Sequence, residues 1–388
     1  MRNPFYLKEM PIDGPFCNRV EELSDLAEMA HSKNNVVIHS PRRFGKTSLV
    51  RRVQNNLAAE GAITIFADFF GVGSVDEVAA RMAEAVFRVT RQNDSIFKRA
   101  GRFITSFRPV IRPNSDSLIE LTVEPAGGVV GMPLLKSTLE ELGSFIHDYD
   151  GLVHIALDEF QEIVSLHDSL KIEATMRTEI QRQEASYFFI GSQRRILSAI
   201  FSEAHRPFFR SAFDFKLCPL PHKELMEFLQ QQFQKNGITI DLIWCSFIVK
   251  QVGAFPYYAQ KLSYFIFEHA RANSHAVGDV EVSAGLSDML SNEKAAFESI
   301  LQSIPSQQRM FLRALAKEPT KTPYAREYNR KHNLGSLSAL QNAVKQLQQL
   351  DLIETAEDDY FVIVDPIFRL WLASGERTLV RAVSDEFK

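Results

Sequence analysis

The segment over residues 40–47 combines small, basic and hydroxyl side chains at a spacing that can bind a triphosphate. It fits the phosphate-loop pattern G-x-x-x-x-G-K-[ST], except that Ser40 replaces the first glycine. In such a loop the backbone N–H groups and the positive end of the following helix face the phosphates. Lys46 would bring a mobile charge to the terminal phosphates, and the Thr47 hydroxyl would bind Mg²⁺. The expected nucleotide contacts from this segment are Ser40, Pro41, Arg42, Arg43, Phe44, Gly45, Lys46, Thr47 and Ser48.

A second group of polar residues follows the apolar run over residues 153–157. It consists of Asp158 and Glu159, whose side chains point in different directions if the run is a strand. A phosphate-loop ATPase needs one carboxylate to hold Mg²⁺ through water and often uses a second to polarise the attacking water. We therefore assign Asp158, together with Thr47, to the metal and Glu159 to the general base. His154, inside the run, is interpreted as a strand residue rather than a ligand.

Two further positions carry side chains that can reach the reacting phosphate. The run over residues 188–190 continues into Gly191, Ser192 and Gln193, and Gln193 is preferred over Ser192 as the contact to the γ-phosphate or attacking water. The alternative is a polar strand end without such a contact. Arg206 and Arg210 can each act as an arginine finger across a subunit boundary, or can be ordinary surface or ion-paired arginines. The expected catalytic residues are Lys46, Glu159, Gln193, Arg206 and Arg210.

The elements around these groups predict an α/β fold. Residues 36–38 read as a buried strand, the helix over 46–60 ends before Gly61, and residues 62–66 read as a second strand. Further strands are expected over 152–157, 187–190 and 213–217, each after a helix, which predicts a parallel sheet with helices on its faces. Residues 75–100 are expected to be helical. The segment over 102–135 departs from the pattern and is interpreted as an inserted hairpin or arm.

The chain is expected to contain three domains. The α/β domain covers 1–221, and a helical domain with breaks at Gly237, Gly253 and Gly278 covers 222–300. The third domain, 301–388, reads as helix, turn, helix, a strand over 360–364 and an apolar helix from Pro366. The length of 388 residues agrees with two to three domains.

Composition excludes several classes of protein. With 45% hydrophobic and 24% charged residues the chain is not mainly disordered, and its net charge of −4 does not indicate a nucleic-acid coat protein or a membrane-surface binder. The three cysteines form no C-x-x-C pair, which argues against a disulfide framework or zinc site and for a reducing compartment. We find no signal peptide and no run of about 18 apolar residues. A cytoplasmic location and no membrane association are expected.

These motifs, in this order, resemble the archaeal-type ATPases, a branch of the AAA+/STAND group of phosphate-loop NTPases. The resemblance rests on residues 40–49, 157–161 and 206–211, on 16–23 ahead of the core, on 253–256 as the lid motif and on 365–372. It implies a P-loop NTPase core of AAA+/ASCE type, with one strand between the phosphate-loop strand and the Asp158 strand, a helical lid and a C-terminal winged helix. It also implies that Phe16 and Arg19 approach the adenine and that Pro256 closes the nucleotide pocket.

The resemblance implies ATP and Mg²⁺ as cofactors and a nucleotide-driven switch or remodeller that forms a homo-oligomer or acts on a protein partner. The alternative is a DNA-binding regulator for which ATP is a secondary effector. Residues 301–350 carry eight Lys or Arg against two Glu, a basic excess typical of phosphate-backbone binding. The expected recognition helix over 336–350 nevertheless carries only Lys345, with Gln341, Asn342 and Gln346 as candidate base readers. The segment after it is acidic, so a winged helix used for intramolecular or protein contact remains an equal alternative.

Overall fold

The computed structural model describes residues 2–7, 11, 14–90, 104–113, 119–273, 275–356 and 358–374. The chain divides into two compact units, one formed by Arg19–Cys218 and the other by Met1–Asn18 with Pro219–Lys388. We call them the sheet unit and the helical unit. Residues 91–100 of the expected helix, residues 102, 103 and 114–118 of the expected insertion, Glu357 and residues 375–388 lie outside the described residues. In the described part of the chain no helix is both long and apolar enough to cross a membrane.

The sheet unit is built around a parallel sheet. Its strands are β1 (Val36–His39), β2 (Ile63–Asp68), β3 (Phe107–Pro113), β4 (Ile119–Pro125), β5 (Val153–Asp158), β6 (Ser186–Gly191) and β7 (Phe213–Lys216). Five of them form the sheet in the order β2-β5-β6-β1-β7, with every neighbouring pair parallel. One strand, β6, thus separates the phosphate-loop strand β1 from the Asp158 strand β5, which confirms the expected order.

Helices cover this sheet and connect its strands. They are α1 (Val20–His31), α2 (Lys46–Ala59), α3 (Val75–Thr90), α4 (Met132–His147), a 3₁₀ helix (Phe160–Ser165), α5 (Ser169–Ile180) and α6 (Arg194–Ser202). In α2 the residues Leu49, Val53 and Leu57 are buried in the core, as their four-residue spacing predicts. Gly61 follows the end of α2 with φ of 97°, a conformation that glycine adopts without steric cost.

The central strands are buried along their whole length. Every residue of β5 and β6 is buried, including the polar residues at their ends. Strands covered on both faces read in sequence as continuous apolar runs, which is why β1, β5 and β6 were recognisable. Strand β2 ends at Asp68 rather than at residue 66, because Ala67 and Asp68 continue the pairing with Leu157 and Asp158 of β5. A third acidic side chain therefore stands at the same edge of the sheet.

The expected insertion contains an antiparallel hairpin. Strands β3 and β4 pair with Arg108 opposite Glu124. At its base Phe107 is buried, and the Ser106 N–H donates to Glu141 Oε1 on α4 at 3.0 Å. Since α4 begins at Met132, the last four residues of the expected insertion belong to that helix instead.

The helical unit has one continuous apolar core. Its elements are α7 (His222–Lys235), α8 (Leu242–Val252), α9 (Pro256–Ala272), α10 (Asp279–Ser303), α11 (Ser306–Lys317), α12 (Arg326–His332), α13 (Leu337–Gln349), β8 (Ile353–Thr355), β9 (Phe361–Ile363) and α14 (Pro366–Ser374). The breaks at Gly237, Gly253 and Gly278 fall between helices, as expected. A single cluster of buried side chains joins α7–α10 to α11–α14, so residues 222–300 and 301–374 share one apolar core within this unit.

The first residues of the chain pack in the helical unit, which differs from the expected 1–221 domain. The ring of Phe5 is buried, with its centroid 4.8 Å from that of Phe233 and 6.2 Å from that of Phe267. The Asn3 side chain donates to the backbone oxygen of Tyr264 at 3.1 Å. The physical reason is that Phe5 finds its apolar partners on α7 and α9, far along the chain, and no local pattern reveals that pairing.

Candidate functional site

The phosphate loop connects β1 to α2. Gly45 has φ of 84° and Arg43 has φ of 69°, so the chain turns through two left-handed residues before the helix begins at Lys46. Glycine at position 45 suits this conformation because it has no side chain to clash. Ser40 does not adopt a positive φ, so the first loop position does not need glycine's freedom. Ser40 and Phe44 are buried, whereas Arg42 and Arg43 are exposed.

The Lys46 ammonium group is folded back onto the loop. Its Nζ donates to the backbone oxygens of Ser40 at 3.0 Å and Pro41 at 3.1 Å, and the residue is 6% exposed. Burial lowers the pKa of Lys46 to about 8, although the nearby carboxylates of Glu159 and Asp158 oppose that shift. A buried cation whose charged form is disfavoured in this way would be stabilised by an anionic ligand.

Thr47 and Asp158 are in direct contact. The Thr47 hydroxyl donates to Asp158 Oδ2 at 2.7 Å, which joins the first turn of α2 to the end of β5. Asp158 is 7% exposed. Burial raises the pKa of the Asp158 carboxyl, the Thr47 hydrogen bond opposes this, and the carboxylates of Glu159 and Asp68 raise it further. Two oxygen ligands therefore meet where the surroundings favour an added positive charge.

Glu159 is the first residue after β5, and its backbone N–H donates to Asp158 Oδ1 at 2.9 Å. It has φ of 49°, in the left-handed region, and its Oε2 accepts hydrogen bonds from Ser192 Oγ at 3.0 Å and Ser192 N at 3.4 Å. Gln161 Nε2 donates to the same oxygen. The carboxylate is thereby held between β5 and β6, beside the loop.

Of the two polar residues after β6, Ser192 contacts the site. Its hydroxyl donates to Glu159 and accepts from Arg42 Nε at 3.3 Å, so it links the phosphate loop to Glu159. Gln193, which the sequence favoured, instead donates to Glu162 Oε1 at 3.4 Å. The residue directly after the strand faces Glu159, and the next one begins the turn into α6. A small hydroxyl immediately after a buried strand was the available signal.

Asp68 is a residue that the sequence analysis did not single out. It lies opposite Asp158 in the register of β2 and β5, and its negative charge contributes to the raised pKa of Asp158. The signal for it was an acid at the end of a predicted strand, the same signal that identified Asp158. His154, by contrast, is a strand residue as interpreted. Its fully buried ring lies 4.3 Å, between centroids, from that of Phe188, and its Nδ1 is 3.2 Å from Gln54 Nε2.

The two candidate fingers have different surroundings. The Arg206 guanidinium forms an ion pair with Glu173, whose side chain is 0% exposed, and its Nε donates to Glu173 Oε2 at 3.1 Å. Arg210 is exposed, has φ of 53°, and its guanidinium carbon lies 5.1 Å from the centroid of the Phe209 ring. Of the two, Arg210 is the residue whose charge faces solvent.

The residues that the resemblance assigns to the adenine fall in both units. Arg19, in the sheet unit, is 4% exposed, and its guanidinium donates to Cys218 O at 2.7 Å and pairs with Glu22. Phe16 and Pro256 belong to the helical unit, where Pro256 is the first residue of α9. The structure brings together Lys46, Thr47, Asp158 and Glu159 within the sheet unit. The contacts of Phe16 and Pro256 with a nucleotide stay predictions.

The basic residues over 301–350 have mixed surroundings. Arg309 donates to the backbone oxygens of Leu301 and Ile304 at 3.1 and 2.7 Å, and Lys331 pairs with Glu318 at 2.7 Å. These two charges are therefore engaged within the unit. On α13, Lys345 and the adjacent candidate readers are exposed or half-buried: Gln341, Asn342 and Gln346.

The fold and the loop geometry define the class of structure, and comparisons with solved structures agree. The chain is similar to the Walker-type ATPase of Pyrococcus abyssi, with a TM-score of 0.69 over 95% of this chain and 99% of that one at 17% identity. It is also similar to the Aeropyrum pernix ORC2 protein in its ADPNP–ADP complexes, with a TM-score of 0.60 over 98% and 97% at 15% identity. The ORC1 protein of the same organism, in complex with DNA, gives 0.50 over 97% and 96% at 14% identity.

Residues 295–374 match the family described as a probable winged helix domain. No curated protein matches the chain. The fold is like that of these ATPase and ORC structures, with a parallel-sheet core, helices after it and a C-terminal winged helix, and the resemblance to archaeal-type ATPases is confirmed for the fold alone.

Proposed function

We propose that this chain is a Mg²⁺-dependent ATPase of the AAA+/STAND type. The observation that carries the proposal is the 2.7 Å hydrogen bond from the Thr47 hydroxyl to the buried Asp158 carboxylate. A phosphate loop alone is a nucleotide-binding motif, whereas a loop threonine beside a strand-end aspartate is the arrangement that holds Mg²⁺ on a bound triphosphate. ATP, rather than another nucleotide, follows from the resemblance to the archaeal-type ATPases.

The residues present fit a magnesium ion. Thr47 and Asp158 offer hard oxygen ligands, which Mg²⁺ prefers, and the charged form of Asp158 is disfavoured by burial and by Glu159 and Asp68 nearby. A divalent cation would offset that repulsion. When bound, Mg²⁺ would neutralise charge on the phosphate oxygens. We assign Thr47 and Asp158 to hold it.

The remaining residues divide the work of binding and hydrolysis. Lys46 would exchange its loop carbonyl partners for the terminal phosphates, with the backbone N–H groups of the loop beside it. Glu159 would accept a proton from the attacking water as general base. Ser192 bridges Glu159 and Arg42. Through these two hydrogen bonds, binding of the γ-phosphate would affect the positions of both side chains. Gln193 keeps the role of an additional phosphate or water contact as a prediction.

Two substitutions test the proposal. Lys46→Ala should abolish nucleotide binding, and Glu159→Gln should retain ATP but lower its hydrolysis by about 10²–10⁴-fold, the usual contribution of a general base. Binding is measured with a fluorescent ATP analogue and hydrolysis as phosphate release. Matched controls are Lys136→Ala and Glu184→Gln, two exposed side chains of the sheet unit. Hydrolysis by Glu159→Gln at the wild-type rate would remove Glu159 as the base.

We further propose that nucleotide binding drives assembly or remodelling of a protein partner, in the cytoplasm. The exposed Arg210 supports an ATP site completed by a neighbouring copy of the chain, because a finger must reach outward. The molar mass of the full chain in solution is measured with ADP and with a non-hydrolysable ATP analogue. A larger mass with the analogue is expected, and equal masses would count against the oligomerising switch.

A DNA-binding regulator is the second candidate, favoured by the winged helix match and by the exposed Gln341, Asn342 and Lys345 on α13. The full chain is tested for retention of duplex DNA at increasing salt, because phosphate contacts weaken steeply as salt rises. Lys345→Glu should weaken retention, while Lys223→Glu on α7, an exposed position outside residues 301–350, serves as the control. No retention at low salt would remove this candidate.

A further inference from the structure

Gln161 is a buried amide in direct contact with the Glu159 carboxylate. It lies in the 3₁₀ helix that follows β5 and is 2% exposed. Its Nε2 donates to Glu159 Oε2 and lies 3.5 Å from Glu162 Oε1. The amide orientation follows from this contact, since the reverse orientation would place the amide oxygen against the carboxylate oxygen. The neutral, buried Gln161 side chain thus donates a hydrogen bond to one oxygen of the Glu159 carboxylate.

The amide oxygen of Gln161 is buried without a hydrogen-bond partner. It fits against Gly191, the last residue of β6, where a Cβ atom would lie 2.0 Å from Gln161 Oε1. Gly191 does not have a positive φ, so its backbone conformation does not call for glycine. The absence of a side chain at position 191 therefore leaves room for the Gln161 amide.

Three donors converge on one oxygen of the base. Gln161 Nε2, Ser192 Oγ and Ser192 N all reach Glu159 Oε2, and no donor among the described residues reaches Oε1. A carboxylate oxygen that already accepts several hydrogen bonds is a poor acceptor for another proton, so Oε1 is the oxygen presented to an attacking water.

We propose that Gln161 is a positioning residue for ATP hydrolysis: seated in the space left by Gly191, it fixes the Glu159 carboxylate so that Oε1 faces the water. This inference rests on the proposed role of Glu159 as general base. Gln161 contacts neither nucleotide nor water in this scheme and acts only through Glu159. Its loss should therefore lower kcat and leave nucleotide affinity and KM unchanged.

The test uses the full chain with Gln161→Leu, Gln161→Ala, Gly191→Ala and the Gln161→Ala/Gly191→Ala double variant. Gln161→Leu and Gly191→Ala should each lower kcat by at least about tenfold, a modest part of the contribution of a base, with the Kd for a fluorescent ATP analogue within about twofold. The double variant should be about as slow as Gln161→Ala, because the alanine at 191 acts mainly by displacing the glutamine amide: its Cβ would lie 2.0 Å from Gln161 Oε1 but 3.2 Å from Leu197 Cδ2. Gln183→Leu, a half-buried glutamine of the sheet unit that donates to Leu139 O, is the matched control.

A wild-type kcat in Gln161→Leu would overturn the inference. It would also be overturned if the fold-loss of kcat in the double variant equals the product of the fold-losses in Gln161→Ala and Gly191→Ala. An equal loss of nucleotide affinity in Gln161→Leu would also overturn it, because that result indicates a general disruption of the loop. Glu159→Gln, measured in parallel, separates the two levels. If Glu159→Gln is inactive and Gln161→Leu is normal, only the positioning role fails; if Glu159→Gln is normal, the proposed base itself fails.

Discussion

The Thr47 hydroxyl and the Asp158 carboxylate are 111 positions apart in the chain and share a hydrogen bond of 2.7 Å. The contact exists because α2 starts where β1 ends and β5 ends at the same edge of the parallel sheet, with β6 between the two strands. The contact joins the last residue of the phosphate-loop motif to the Asp158 carboxylate. Burial of this carboxylate disfavours its charged form and raises its pKa. The proposed magnesium site depends on this contact more than on any other in the sheet unit.

ATP affinity should fall as pH rises above about 8. Burial lowers the pKa of Lys46 from 10.5 to about 8 in the nucleotide-free chain, so Lys46 is charged below that pH and loses its proton above it. The phosphates bind the charged form, and binding above pH 8 must therefore include protonation, which weakens affinity by up to about tenfold per pH unit. Titrations with a fluorescent ATP analogue from pH 7 to 9.5 at constant Mg²⁺ measure the effect. Equal affinity across this range would contradict it.

Arg206→Ala should destabilise the protein much more than Arg210→Ala. Removing Arg206 leaves the fully buried Glu173 side chain without its partner, which costs about 3–5 kcal/mol of unfolding free energy. Arg210 is exposed, and its removal should change that free energy by no more than about 0.5 kcal/mol. Urea denaturation measures both. The Arg206→Met/Glu173→Leu double variant should regain most of the unfolding free energy that Arg206→Ala loses. Equal stabilities of Arg206→Ala and Arg210→Ala would contradict the assignment of Arg206 to a structural ion pair.

His154 should make the fold sensitive to acid. Burial lowers its pKa from 6.5 to about 3, so between these values the unfolded chain binds a proton that the folded chain does not. Unfolding free energy is thus lost as pH falls below about 6.5, by up to about 1.4 kcal/mol per pH unit from this residue. His154→Gln should flatten the dependence in urea denaturation at pH 6.5, 5.5 and 4.5. His222→Gln, at an exposed position at the start of α7, is the control, and identical slopes for all three proteins would exclude His154 as the source.

Much of the sheet unit was predictable because its site residues and their secondary structure lie in short contiguous segments of the sequence. The loop sequence, the apolar run ending in Asp158 and the helix spacing in α2 each depend on neighbouring residues, and the strand order followed from the family resemblance. The choice of Ser192 over Gln193 depends on which of two residues after β6 faces Glu159. That direction is set by the turn into α6, which the sequence pattern does not specify.

Long-range packing accounts for the other differences. Phe5 is placed by Phe233 and Phe267, and the shared core of the helical unit joins segments that the sequence divides at residue 300. The fit of Gln161 against Gly191 joins two different strand ends. Each of these contacts involves residues that are distant along the chain, so periodicity and turn signals carry no information about them.

The central claim is that Thr47 and Asp158 together hold Mg²⁺ on bound ATP. The most direct measurement is ATP affinity with Mg²⁺ and with EDTA for wild type, Thr47→Val, Asp158→Asn and the double variant. Mg²⁺ should strengthen binding by wild type, each single variant should lose about ten- to a hundredfold of the Mg²⁺-dependent affinity, and the double variant should lose little more than Asp158→Asn because the two residues act as a unit. If Mg²⁺ strengthens ATP binding by Asp158→Asn as much as by wild type, the claim is wrong.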